Sequence, residues 1–403
     1  MSDRTLHLAV ALVDAGWHPA AWRAPDARPD ALFTPGYWAE LAAEAERGLI
    51  DFLTFEDSLG PQSAVPHRPD DRTDQVRGSM DAVLLAAHLA PLTTHIGLVP
   101  TVNVTHTEPF HVSVGIATLD HAAKGRAGWR PQIASRAADA AHFGRRTTPQ
   151  LTDEDAREPE LIAKRLRPLF AEATEVVEVT RRLWDSWEDD AEIRDTATGR
   201  YIDGGKLHHI DFEGAYFSVK GPSITPRSPQ GQPVVASLAH ASTPYEFAAR
   251  GCDVVFVTPR DRAGSERILA EVDAAVEREG RDERARPLRR FADLVVFLDD
   301  EPGAAARRKE HLDALDGAAL TSDTVIFTGT PGELADLLLD WRTTGLDGYR
   351  LRPGALPHDL IAITRRLVPE LRRRGAFRGA YDTGTLRARL GLPAPRNRYA
   401  AKD

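Results

Sequence analysis

The sequence predicts an α/β protein of the TIM barrel class: a (β/α)8 barrel with insertions after strands two and four and a hairpin before strand five. Three observations point there. Eight short apolar runs alternate with segments of helical periodicity along 403 residues, which suits a parallel barrel of ordinary length with insertions. Polar residues follow the second and third runs, Glu56-Asp57 and Thr101, at the strand ends where barrels carry their working groups. The turn after the first run, DAGWHP, has no G-x-G-x-x-G, so a doubly wound open sheet is only the second choice.

The elements follow in order. Residues 6–13 are mostly apolar between polar flanks and read as a buried strand. After the loop GWHPAAWRAPDARPDALF, helix 37–48 stops at Gly48. Strand two is 50–55, and 58–77 is a long polar insertion. Helix 78–90 is broken by Pro91. Strand three is 95–101, a helix opens near Pro109, and strand four is 127–133. The polar, aperiodic stretch 134–160 is the second insertion. Helix 161–187 is long and amphipathic. Residues 188–232 contain TATGRYIDGG, FEGAYFSVKG and PRSPQGQP, which predict turns and a small hairpin. Strands five and six, 234–237 and 253–258, flank helix 242–250. Helix 264–279 leads to strand seven, 291–298. The stretch 299–330 is mixed and acidic and yields no element. Helix 331–342, strand eight at 347–351 and helix 357–374 complete one domain, 1–403.

Composition narrows the function. With 42% hydrophobic and 28% charged residues the chain reads as globular and soluble. A net charge of −9 argues against a nucleic-acid or anionic-membrane binder. The one cysteine, Cys252, can form no internal disulfide and no zinc site. No run approaches a membrane span or a secretory signal, so a cytoplasmic location is expected. No metal is expected.

At TVNVTHTEPFH, TLDHAAKGRAGW and HFG the chain resembles the bacterial luciferase-like flavin monooxygenases, and within them the branch of nitrilotriacetate and dibenzothiophene-sulfone monooxygenases. The likeness extends through GWHPAAWRAPDA, AERGLIDFLTFED, LWDSWEDDA, PRSPQGQPV and the tail LRARLGLP. It implies a barrel, usually a homodimer, that takes reduced FMN from a separate flavin reductase. In that family the flavin reacts with O2 to give a C4a-peroxyflavin, which oxidises a small organic substrate. The protein holds the ring, excludes water and orients the substrate. Two alternatives stay open: a flavin-free, non-catalytic barrel serving as partner subunit or binding protein, and, more weakly, a deazaflavin-dependent oxidoreductase.

The resemblance carries residues over unevenly. Asp57 and Thr101 match the strand-end Asp and Thr beside the flavin, and His18 and His111 match histidines of the first loop and the third helix. With His106, these histidines are the candidates for contact with substrate or activated flavin. Elsewhere the pattern changes. Gly-Trp-Asn becomes Gly128-Trp129-Arg130, Asn-Phe-Gly becomes His142-Phe143-Gly144, and Gln-Ala-Gly-Ser-Ser becomes Ser237-Leu238-Ala239-His240-Ala241. Phe-Asn-Leu becomes Tyr349-Arg350-Leu351, a tyrosine near the flavin phosphate becomes Phe170, and a small residue becomes Glu56. Two readings compete. Arg130, His142, Ser237 and His240 bind cofactor or an acidic substrate in a new way, or Glu56 pairs with Arg130 or Arg350 and fills the flavin slot.

Overall fold

A computed structural model describes residues 5–65, 68–382 and 384–400. Eight parallel strands form the barrel: β1 (His7–Leu12), β2 (Phe52–Phe55), β3 (Gly97–Asn103), β4 (Gly128–Gln132), β5 (Val234–Leu238), β6 (Val254–Val257), β7 (Arg289–Leu298) and β8 (Gly348–Pro353). Each pairs with the next, and β8 returns to β1 with Gly348 opposite His7. The sheet therefore closes without an edge, as the sequence predicts.

Helices pack outside it, among them α1 (Pro35–Arg47), α2 (Ala82–Leu89), α3 (Pro109–Ala122), α4 (Pro159–Asp185), α5 (Ser242–Gly251), α6 (Arg262–Arg278) and α7 (Pro331–Arg342). A capping box of Thr330 and Glu333 starts α7. After α7 a helical stretch runs His358–Ala362, widens to a π turn over Ile363–Leu367 and continues through Val368–Arg373, and one short turn, Leu386–Arg389, follows. Pro369 lies just beyond the widened turn and has no N–H to complete an ordinary one.

Two features differ from expectation. The stretch 299–330 holds a helix, Ala304–Asp316, and a ninth parallel strand, Ile326–Gly329, which pairs with the upper part of β7. The apolar run there is only Val325-Ile326-Phe327, too short to show a period. The insertion before β5 forms two hairpins rather than one: Glu192–Asp195 with Arg200–Ile202, and Phe212–Glu213 with Ser218–Val219.

The barrel interior is apolar in its lower half. Phe52, Val99, Val234, Val254, Phe256 and Phe291 pack with Leu386 and Leu390 of the C-terminal segment, which stoppers the amino end. Among the described residues no helix is long and apolar enough to cross a membrane.

Candidate active site

Strand parity turns polar side chains into the upper interior. Thr101 on β3 stands opposite Arg130 on β4, and Asp293 on β7 stands opposite Arg350 on β8. Arg350 is fully buried, with its guanidinium carbon 4.2 Å from the centre of the Phe256 ring. It donates through Nε to Asp293 (2.8 Å) and through Nη1 to Glu56 (3.2 Å). Arg130 donates to the other Glu56 oxygen, to Thr101 Oγ1 (3.1 Å) and to Gln132 Oε1 (2.9 Å). Arg352 lies over the Trp17 ring at 4.8 Å and pairs with Asp293 and with Asp323 (2.6 Å). His240 ends the chain of contacts, its Nε2 3.7 Å from Asp323 and its Nδ1 3.0 Å from Thr258 Oγ1. Three arginines thus meet three carboxylates across the barrel axis.

Burial sets what each charge costs. Burial raises the Asp293 pKa, but Arg350 and Arg352 outweigh it and hold the carboxyl below its usual range. Burial also pulls Arg352 down, and Asp293 with Asp323 more than reverses this. Arg130 stays depressed: burial dominates, Glu56 opposes it and Arg350 adds repulsion. Removing one member would strand a buried charge, at a cost of about 3–5 kcal/mol.

Beside this network a cavity of about 320 Å3 opens at the carboxyl ends of β3 and β4 and over the loop after β2. Asp57, Thr101, Asn103, Gln132 and Arg136 line it, with Leu59, Val83, Val102 and Ile133 as apolar wall. The Asp57 carboxylate accepts the backbone N–H of Ser58 (2.7 Å) and of Ala82 (3.1 Å), yet burial raises its pKa. Asp139 is 4% exposed; its Oδ2 accepts from Arg136 (3.0 Å) and its Oδ1 has no partner. A second cavity of about 260 Å3 shares Asp57, Ser58 and Arg136 and reaches Asp14 and Glu56. The donor and acceptor set along an apolar wall suits a flat heteroaromatic ring with polar edges. At the same end of the barrel, α5 begins at Ala241 with no side-chain cap, which leaves its first N–H groups available to a phosphate.

The residues singled out from sequence separate into groups. Asp57 and Thr101 share the cavity, and Arg130 touches Thr101. His240 joins the network's far end. His106 stacks on Phe143 at 4.9 Å, and its buried Nε2 has no partner. The others stand elsewhere. His18 ties the first loop to the helix Ala304–Asp316: its Nδ1 accepts from Ala20 N–H, so Nε2 carries the proton it donates to Asp313 (both 3.0 Å). His111 and His142 are exposed. Ser237 corrects its expected place beside a cofactor. It packs by Cys252 on the helix side of β5, while its neighbours Ala236 and Leu238 face the interior. Phe170 packs on Phe247 (5.6 Å) and offers no donor.

Asp293, Asp323, Arg136 and Asp139 escaped sequence reasoning. Asp293 did carry a signal. One acid inside the apolar run FADLVVFL demands a buried partner, and the adjacent strand supplies two arginines.

A closed parallel barrel with a polar cavity and loops at its carboxyl end defines a barrel enzyme class by fold and site. The chain belongs to the luciferase-like monooxygenase family, whose model matches residues 15–317. It is 31% identical to N-acetyl-S-(2-succino)cysteine monooxygenase of Bacillus subtilis (98% of this chain, 99% of that one) and 28% identical to nitrilotriacetate monooxygenase component A of Aminobacter aminovorans (99% of each). It is 29% identical to dibenzothiophene-sulfone monooxygenase of Rhodococcus erythropolis over 93% of each chain. Among solved structures, the long-chain alkane monooxygenase LadA superposes with a TM-score of 0.83 at 23% identity, covering 97% of this chain and 96% of that one. Riboflavin lyase RcaE, solved with modified FMN, gives 0.83 at 25% identity, covering 98% and 97%.

Proposed function

We propose that this chain is a cytoplasmic, flavin-dependent monooxygenase that accepts reduced FMN from a separate reductase and uses O2 to oxidise a small organic molecule. The observation that supports it most is the cavity lined by Asp57 and Thr101 in a chain that matches the monooxygenase family almost end to end. When bound, FMN would supply the two-electron activation of O2. Asp57, Thr101 and Gln132 would hold the ring edge, and the start of α5 would take the phosphate. The apolar wall of Val83, Val102 and Ile133 would exclude water from the ring bound beside it. Anaerobic titration tests this reading: measurable FMN or FMNH2 binding is expected, and none at high micromolar concentration would overturn it. A relative named "component A" supports dependence on a second component.

One observation favours a second reading. The Glu56–Arg130–Arg350–Asp293 network occupies the upper barrel interior, and Glu56 pairs with both arginines, as the slot-filling reading expects. On this reading the barrel has given up flavin and serves as a partner subunit.

A homodimer is part of the proposal. No Asp, Glu, Lys or Arg occurs in 82–92 or 109–119. These residues form α2 with the turn after it and most of α3, two helices in contact with each other. Leu84 and Leu92 stand 71% and 54% exposed on that outer face. Light scattering should give twice the chain mass, and Leu84→Glu should shift it to monomer; a wild-type monomer at micromolar concentration would refute it.

A further inference from the structure

A local excess of positive charge lies at the other end of the barrel. A cavity of about 430 Å3 opens between the end of α4, the start of β6, the turn before β7 and the C-terminal stretch 393–398. Six arginines line it, Arg181, Arg281, Arg286, Arg387, Arg396 and Arg398, against two aspartates, Asp185 and Asp253. Both acids are already shared. Asp253 binds Arg181 (2.9 Å) and Arg387 (3.0 Å), and Asp185 binds Arg398 (3.1 Å) and Arg227 (3.1 Å).

The remaining arginines have no carboxylate. Arg281 donates to the carbonyls of Ala249 (2.8 Å), Arg286 (2.7 Å) and Pro287 (3.1 Å), and Arg286 to that of Arg250 (3.2 Å). The Ala249 and Arg250 carbonyls belong to the last turn of α5, whose dipole offers partial negative charge but no ion. Among the described residues, no ion pair engages Arg281, Arg286 or Arg396. The crowding registers electrostatically. Burial lowers Arg281 to about 10; Asp253 opposes this, while Arg286 and Arg181 add to it. An isolated cluster of this kind is unexpected in a chain of net charge −9.

We propose that this cavity is a binding site for a small phosphate-bearing anion, separate from the mouth. Guanidinium forks match the paired oxygens of phosphate. The volume lies in the range of small-molecule sites rather than of a docked chain. An anion bridging Arg281, Arg286 and Arg396 would clamp the C-terminal stretch onto α5 and the turn before β7. Its occupant would then bind the folded chain alone and stabilise it.

Sodium pyrophosphate is the probe. Melting of the full chain should rise with pyrophosphate and not with sodium chloride at the same ionic strength. Calorimetry should give one site per chain. Arg286→Gln and Arg396→Gln change exposed residues and should leave the ligand-free melt in place. Each should weaken pyrophosphate binding about tenfold, and together about a hundredfold. Equal shifts with pyrophosphate and chloride, or unchanged affinity in the double variant, would overturn the proposal.

Discussion

The two halves of the barrel interior are built on different physics. The lower half is Phe, Val and Leu, where stability scales with apolar area and a swap of similar volume costs under about 1.5 kcal/mol. The upper half is Glu56, Arg130, Asp293, Arg350, Arg352 and Asp323, where each charge is tolerable only while its partners stand. The difference teaches where the barrel can change gradually and where it cannot. The apolar half accepts change by increments, whereas the ionic half is all or none.

The sharpest test removes the acid that two arginines share. Asp293→Ala should cost about 3–5 kcal/mol, because Arg350 and Arg352 remain buried without it. Phe291→Leu, two residues away and facing the lower interior, should cost about 1–2 kcal/mol. Urea midpoints at unchanged slope measure both. Similar losses for the two would erase the distinction between the halves.

A next test removes a balanced pair. Glu56→Ala with Arg130→Asn takes out one acid and one base and leaves Arg350, Asp293, Arg352 and Asp323 matched. If the network obstructs the ring, anaerobic FMN affinity should rise at least tenfold, about 1.4 kcal/mol. If the ring already sits in the cavity of Asp57 and Thr101, the double variant should bind no better than wild type.

How much was legible follows the same divide. All eight barrel strands could be read, six of them from apolar stretches between turn signals and β4 (GWRPQ) and β8 (GYRLRP), which carry arginines, from their place in the alternation of strands and helices. The pairing of Glu56 with Arg130 or Arg350 could be foreseen from a charge at a strand end where a small residue would serve, and the structure gives it both partners. The parity of β5 could not be read. Both faces of VVASL are apolar, because one meets helices and the other the barrel interior. His111 and His142 stand exposed, and their direction was equally unreadable: a motif match fixes a position along the chain but not where the side chain points. The strand Ile326–Gly329 is set by pairing with β7 rather than by its own residues.

The finest contrast is between two aspartates. Asp293 sits among arginines and is held below its usual pKa, whereas burial alone raises Asp14, at the mouth, to about 7. Their linkage to folding has opposite sign. Asp293 contributes stability that is present above the unfolded carboxylate pKa and is lost as pH falls through its depressed folded value. Asp14 keeps its proton in the folded chain between about pH 4 and 7, when the unfolded chain has already lost it. Its contribution is therefore present at low pH and disappears as pH rises through that window. Asp14→Asn removes the titration without disturbing the backbone, whose φ of 41° asparagine also accepts. The variant should melt with wild type near pH 4 and above it at pH 8, by roughly 1–2 kcal/mol once solvent screening is allowed for. A difference independent of pH would mean that Asp14 is solvated in the folded chain. The desolvated acids of the mouth would then be Asp57 and Asp139 alone among those lining its two cavities.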